Sequence, residues 1–233
     1  MLAQTIALAA DTLEEPVSNA NITLTKEDLD KKPSEWYEAS RTLLEVGDWT
    51  SRPRMRTLQT IALFAPYLMF RGTPLAYERL QTYVAAGITM AQHLGLHRLG
   101  DDPKHMPDFV DPILPDEPCT LRRELALRLF YNLLFIDYLS FRIRSSLPPE
   151  ALKSPLPGNF NDEDLNEYDF VVPHPPEVMT DWSCENLRFR IARQQKNFND
   201  ILMSGVSFDY STVLEVDRGF RSVASSRQCG YTR

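Results

Sequence analysis

Apolar positions along this chain fall into six runs with helical spacing, separated by polar and Pro-rich stretches, and none alternates convincingly as a strand would. The third run is the sharpest. Thr73 suits an N-cap and Pro74 the first helical position. Leu80, Val84, Gly87–Ile88, Ala91 and Leu94 recur on one face, and Gly95 stands where a left-handed residue commonly ends a helix. The first run is capped by Ser34, carries Trp36, Ser40, Leu43 and Leu44, and stops at Gly47. The second starts around Ser51 and Pro53 and reaches Gly72, with Pro66 inside it predicting a kink or a split.

The pattern changes after Pro118. From Leu125 to Ile143, fourteen of nineteen residues are apolar, around nearly the whole circumference. A helix of that kind is enclosed by others, which places it at the centre of a domain. Arg128, Asn132, Asp137 and Arg142 are costly in lipid and argue against a membrane span. The last two runs span roughly Ser183 to Ser204 and Asp209 to Ala224. Long loops, 99–117 and 144–180, connect the middle runs; loops of that length are often functional or disordered. The predicted fold class is all-α, an irregular multi-helix array of antiparallel helices with long Pro/Asp-rich loops.

Composition narrows the function. The 233 residues carry a formal net charge of −7. A domain that grips phosphates is usually basic, so direct DNA contact by this chain is disfavoured. Cys119, Cys184 and Cys229 are scattered and odd in number, which indicates neither a disulfide framework nor a clustered metal site and suggests a reducing compartment. The first residues, MLAQTIALAADTLEEP, lack the basic start of a signal peptide.

The stretch AQHLGLHRLGDDP raises a sharper possibility, because His93 and His97 stand four apart and could share a metal on one helix face. Gly95 lies between them where the helix should stop, which takes His97 out of phase. A pair also lacks the ligands of a closed zinc site, so a structural role is favoured. The run Asp162–Glu163–Asp164 reads as a capping or surface acidic segment, without the glycine and terminal Glu of a calcium loop. From Pro155 to Glu185 there are eight acidic residues and no Lys or Arg. Asp137, alone in the apolar helix, calls for a partner such as Arg128, Arg142 or Arg56. Arg52, Arg54, Arg56 and Arg122–Arg123 form basic clusters at helix starts. No GxSxG or Gly-rich phosphate loop is present. No catalytic, DNA-binding or metal residues are therefore assigned.

The order of motifs carries more than any one of them. LQTIALFAPYLMFRG, YVAAGITMAQHLGLHRL, PCTLRRELALRLFYNLLFIDYLSF and SPLPGNFNDEDL follow one another at set spacing. This series resembles the fungal-specific transcription factor domain, the middle homology region of fungal zinc-cluster factors. The matching residues are Ala91, Leu94 to Arg98, Glu124, Arg128, Phe130–Tyr131 and Asp137. Leu156, Pro157, Asn159, Asn161, Asp162, Asp164 and Leu165 follow, and YSTVLEVDRGFR matches a later helix. The likeness covers about residues 34 to 222. It departs from the family where a tryptophan is replaced by Phe130 or Tyr131, and in the tail SVASSRQCGYTR, which reads as a truncation.

The resemblance implies a non-enzymatic nuclear regulatory domain that restrains or relays activation through protein partners, with a possible dimer. Zinc and DNA binding would belong to a six-cysteine cluster for which this chain has no residues. No cofactor is expected here. The expected layout is a poorly ordered 1–33, a helical domain over 34–222 that is C-terminally incomplete, and a disordered tail over 223–233. Exposed apolar surface is expected on the last helices. Two alternatives remain: a helical adaptor that heterodimerises with an intact factor, and a metal-dependent hydrolase built on His93, His97 and the acidic loop.

Overall fold

In the computed structural model of the chain, the described residues are 18–19, 22–23, 26–100, 102, 114, 118–139, 147, 151–205 and 209–225. Among them are six α-helices: α1 (Lys26–Val46), α2 (Met55–Arg71), α3 (Pro74–His93), α4 (Thr120–Leu139), α5 (Ser183–Met203) and α6 (Tyr210–Ser225). Among the described residues the one departure from an all-α fold is a two-residue antiparallel pair, Ser18–Asn19 with Ile22–Thr23. No helix among the described residues is long and apolar enough to cross a membrane. The chain divides into two compact units, Met1–Gly87 and Ile88–Arg233, with the boundary inside α3.

In the first unit, α1 begins at Lys26 rather than at Ser34, and Pro33 lies inside it. Nothing in KEDLDKK breaks a helix, and acidic residues in a first turn favour the dipole. The buried face is also rotated from the expected one. Pro33, Tyr37 and Leu44 point inward, whereas Leu43 is 71% exposed. Gly47 ends the regular helix as expected, donating its N–H to the Leu43 carbonyl at 3.0 Å. Helix α2 continues unbroken through Pro66. The missing N–H costs one backbone bond, and burial of Leu58, Ile61, Phe64 and Leu68 outweighs it at ~2 kcal/mol per side chain. Gly72, with φ of 61°, closes the helix. Edge-to-face rings link Tyr37 to Phe64 and Phe64 to Tyr83, at 5.0 and 5.3 Å between centroids. At the start of α3, the Thr73 hydroxyl accepts the Ala76 N–H at 3.2 Å, as its sequence position predicts.

The second unit is built around α4. Twelve of its residues are buried, on most of its circumference, which explains why its apolar residues form no stripe. It packs along α5, where Phe189 meets Tyr131 edge-on at 4.6 Å and Tyr138 at 5.5 Å. Helix α5 in turn packs on α6, where Gly219 leaves room for the Gln194 side chain. Tyr210, Val213 and Leu214 on α6, with Leu202 and Met203 on α5, are exposed, matching the expected apolar surface on the last helices. Regular helix runs to Ser225, three residues into the segment read as tail. The remainder of that tail, and most of loop 99–117, lie outside the described residues.

Asp209 caps α6. Its Oδ1 accepts from the Thr212 N–H at 2.9 Å and from the Ser211 and Thr212 hydroxyls at 2.7 and 2.8 Å. These donors, the Thr212 N–H first, hold its pKa down at about 2, below the ordinary 3.8. A depressed carboxylate stabilises the fold above its ordinary pKa and loses that effect as pH falls through the depressed value. Asp209→Ala is therefore expected to lower the melting temperature at pH 7, with the difference from wild type closing as pH falls from about 4 to about 2. Melts followed by circular dichroism across that range check it.

Candidate functional site

Polar side chains tie four segments of the second unit together: the turn after α3, the first half of α4, the stretch 151–166, and the start of α5. The turn is built as its sequence suggests. Helix α3 ends at His93, Gly95 takes φ of 75°, and Leu96–Arg98 form one 3-10 turn. Leu96 and Leu99 are fully buried and anchor it. The His97 carbonyl accepts the N–H groups of Lys153 and Ser154 at 2.8 and 3.1 Å. The Ser154 hydroxyl donates to the Leu96 carbonyl at 2.6 Å and accepts the Leu99 N–H at 2.8 Å. The Ser154 carbonyl takes the Tyr131 hydroxyl at 2.6 Å. Burial pushes the Tyr131 phenol pKa up, which keeps it a donor.

Glu124, 2% exposed, is the acid at the centre of α4's contacts. Both its oxygens lie 3.1 Å from the Gly158 N–H, and Arg128 Nε stands 3.6 Å away, one helical turn on. Burial raises the Glu124 pKa, against the pull of the Gly158 N–H and of Arg128 and Arg123. Arg128 also reaches Asp162 Oδ1 at 2.6 Å and lies over the Trp182 ring at 4.5 Å. Its neighbour Arg123, buried, donates to the Gly100 carbonyl. Gly158 is required by close approach: a Cβ there would stand 2.2 Å from the buried Phe160 ring.

Asn159 joins the loop to α5. Its amide nitrogen donates to the carbonyls of Pro175 and Val178 at 2.9 and 2.8 Å. Its oxygen accepts the hydroxyls of Thr180 and Ser183 at 2.7 and 2.8 Å. The acidic run is a cap, as read from the sequence. Asp162–Asp164 form a 3-10 turn with a capping box between Asn161 and Asp164. His174 Nε2 meets Asp164 at 2.9 Å. The Asn161 N–H, then His174, lowers the Asp164 pKa, so its contribution to stability is present above the ordinary carboxylate value and fades as pH falls through the lowered one. Glu124 has the opposite sign: its raised pKa favours the fold below the ordinary value and loses that effect as pH rises.

The histidine pair is separated by the turn: His93 is exposed in the last turn of α3, while His97 lies beyond Gly95. Burial, and then Arg98, lowers the His97 pKa, so the ring is neutral at pH 7, and its Nδ1 has no hydrogen-bond partner among the described residues. Among the described residues, no three His, Cys, Asp or Glu side chains gather as a metal would need. Asp137 is buried as expected, and of its suggested partners Arg128 pairs with Glu124 and Asp162, Arg56 is exposed, and Arg142 lies outside the described residues. Arg52 and Arg54 are exposed, Cys119 is buried and Cys184 exposed with neither in a disulfide, and Cys229 lies outside the described residues. The cavity bounded by Tyr131, Asn132, Phe135, Pro157, Trp182 and Phe189 measures about 20 Å³, room for about one water molecule.

The residues joined here include many that carried the resemblance: Leu96, His97, Glu124, Arg128, Tyr131, Asn159, Asn161, Asp162 and Asp164. The family model described as "Fungal specific transcription factor domain" matches residues 1–214. The chain belongs to this family. A curated relative is similar to it, "Probable transcription factor lepB" of Aspergillus flavus, 23% identical over 202 residues, covering 82% of this chain and 34% of the relative. The chain thus spans about a third of that relative's length. No solved structure matches the chain significantly. Family membership associates the chain with transcription regulation. In the fungal-specific transcription factor domain seen here, the signature residues are engaged with one another as a clamp.

Ser154 was not singled out by sequence reasoning, and Asn159 only through the resemblance, because a polar residue in a Pro-rich loop belongs to no periodic pattern. Ser154→Ala, which strands the Leu99 N–H and the Leu96 carbonyl, is expected to cost about 2 kcal/mol in urea unfolding. Gly158→Ala is expected to destabilise further by driving the loop N–H off Glu124. Retention of wild-type unfolding midpoints would show that the clamp contributes nothing.

Proposed function

We propose that this chain is the regulatory domain of a fungal zinc-cluster transcription factor, acting in the nucleus through contacts with other proteins. The observation that carries the reading is the family match over residues 1–214. The printed name of the Aspergillus flavus relative, a transcription factor, supports it. The clamp supports a regulatory role over chemistry, since Glu124, Asp162, Asp164 and His174 are engaged by Gly158, Arg128 and one another. Zinc and DNA binding would reside in a cysteine cluster of the parent factor.

The exposed Leu202, Met203, Tyr210, Val213 and Leu214 favour a second reading, a helical adaptor that pairs with an intact factor. Tethering separates the two. Fused to a heterologous DNA-binding module, a regulatory domain shifts reporter output up or down on its own. An adaptor does so only when an intact factor is co-expressed. The expected result is a shift without a co-expressed factor, with the tagged chain concentrated in the nucleus. An unchanged reporter under both conditions, or exclusion from the nucleus, would contradict both readings. Elemental analysis of the purified chain is expected to find well under one zinc per molecule, with melting unaffected by a chelator.

A further inference from the structure

The segment 166–180 places large apolar side chains in water on a fixed backbone. Tyr168 is 85% and Val172 82% exposed, and Phe170, Val178 and Met179 are exposed as well. Fluctuation of the chain does not explain this. The Asn166 side chain accepts the N–H groups of Tyr168 and Asp169, both at 2.9 Å. The Asp169 carbonyl takes the Thr120 N–H at 3.2 Å, and the Thr120 hydroxyl takes the Val171 N–H at 2.8 Å. His174 N–H bonds to the Asn159 carbonyl at 2.9 Å, and Asn159 holds the carbonyls of Pro175 and Val178. The backbone bonds of Asp169 and Val171 hold this stretch to the start of α4, and the side chains of Tyr168, Phe170 and Val172 stand exposed on it.

Charge gives this strip a direction. Glu163, Glu167 and Glu177 are exposed around it, and no Lys or Arg occurs from Pro155 to Glu185. Arg128 and Arg188, which approach from the helices, are paired with Asp162 and Glu185. Large exposed apolar groups with a polar rim mark interaction sites, and aromatic anchors dominate such interfaces. A strap already held in shape loses little conformational freedom on binding.

We propose that the strap 166–180 is a docking surface for a basic protein partner, whose apolar groove takes Tyr168, Phe170 and Val172 and whose Lys or Arg rim meets Glu163, Glu167 and Glu177. This deepens the regulatory reading, on which it rests, by naming the surface through which a partner is held. The test replaces Tyr168 with a photo-crosslinking residue in the full chain expressed in a fungal host. The crosslinked protein is then purified and titrated with the full chain. Tyr168→Ser/Val172→Ser is expected to weaken that binding by about tenfold or more. Glu163→Gln/Glu167→Gln/Glu177→Gln is expected to weaken it and flatten its salt dependence. Thermal melts of both variants should match wild type, since the side chains are exposed.

Absence of an adduct, an adduct to this chain or a second copy of it, an acidic partner, or an affinity unmoved by the serine variant would each overturn the proposal. Binding that survives the serine variant, alongside a responsive tethered reporter, would sink the strap and leave the regulatory reading standing. Loss of binding alongside an unresponsive reporter would do the reverse.

Discussion

A carboxylate taken out of water must find a compensating charge or N–H groups, and Glu124 is almost wholly buried. It finds the Gly158 N–H and the Arg128 guanidinium, and the rest of the second unit is arranged around that requirement. Leaving such a charge unmatched costs of the order of 3–5 kcal/mol, a large share of a domain's stability. The loop must therefore approach α4 closely enough for a backbone N–H to reach Glu124. That approach leaves no room for a Cβ at position 158. It also brings Asp162 to the outer side of Arg128, in a pair exposed enough that water and salt weaken it.

Once the loop is fixed at Gly158, its neighbours follow. Ser154 lies against the turn after α3 and closes its free backbone groups. Asn159 binds the C-terminal half of the acidic strap and the first turn of α5. The polar network thus does for three irregular segments what hydrogen-bond ladders do for helices. It explains why long Pro-rich stretches, which gain nothing from periodic burial, have one conformation here.

Much of this order was legible in the chain. Six helices were, because Thr73, Pro74, Gly72, Gly95 and Asp209 punctuate them with specific backbone chemistry. The enclosure of α4 was legible from its all-round apolarity. The start of α1 was not, since Ser34 offered a cap that the helix runs through once Pro33 and Tyr37 are buried. Pro66 gave a similar false stop, because packing on both sides of it outweighed one lost bond. Of the site, Glu124, Arg128 and the PGNFND loop were visible only as a resemblance. No spacing rule links a helix acid to a glycine 34 residues on. The two histidines showed the opposite: a spacing rule was satisfied, and one left-handed glycine removed its basis.

The central claim is that Glu124 holds the loop and, through it, the turn after α3. Hydrogen exchange on Glu124→Gln tests it most directly, because glutamine keeps the shape and removes the charge that Arg128 and Gly158 answer. The amides of Lys153, Ser154, Gly158 and Leu99, whose partners lie along this chain of contacts, are predicted to exchange faster together. Faster exchange confined to α4, with the loop and the turn as protected as in wild type, would contradict the account.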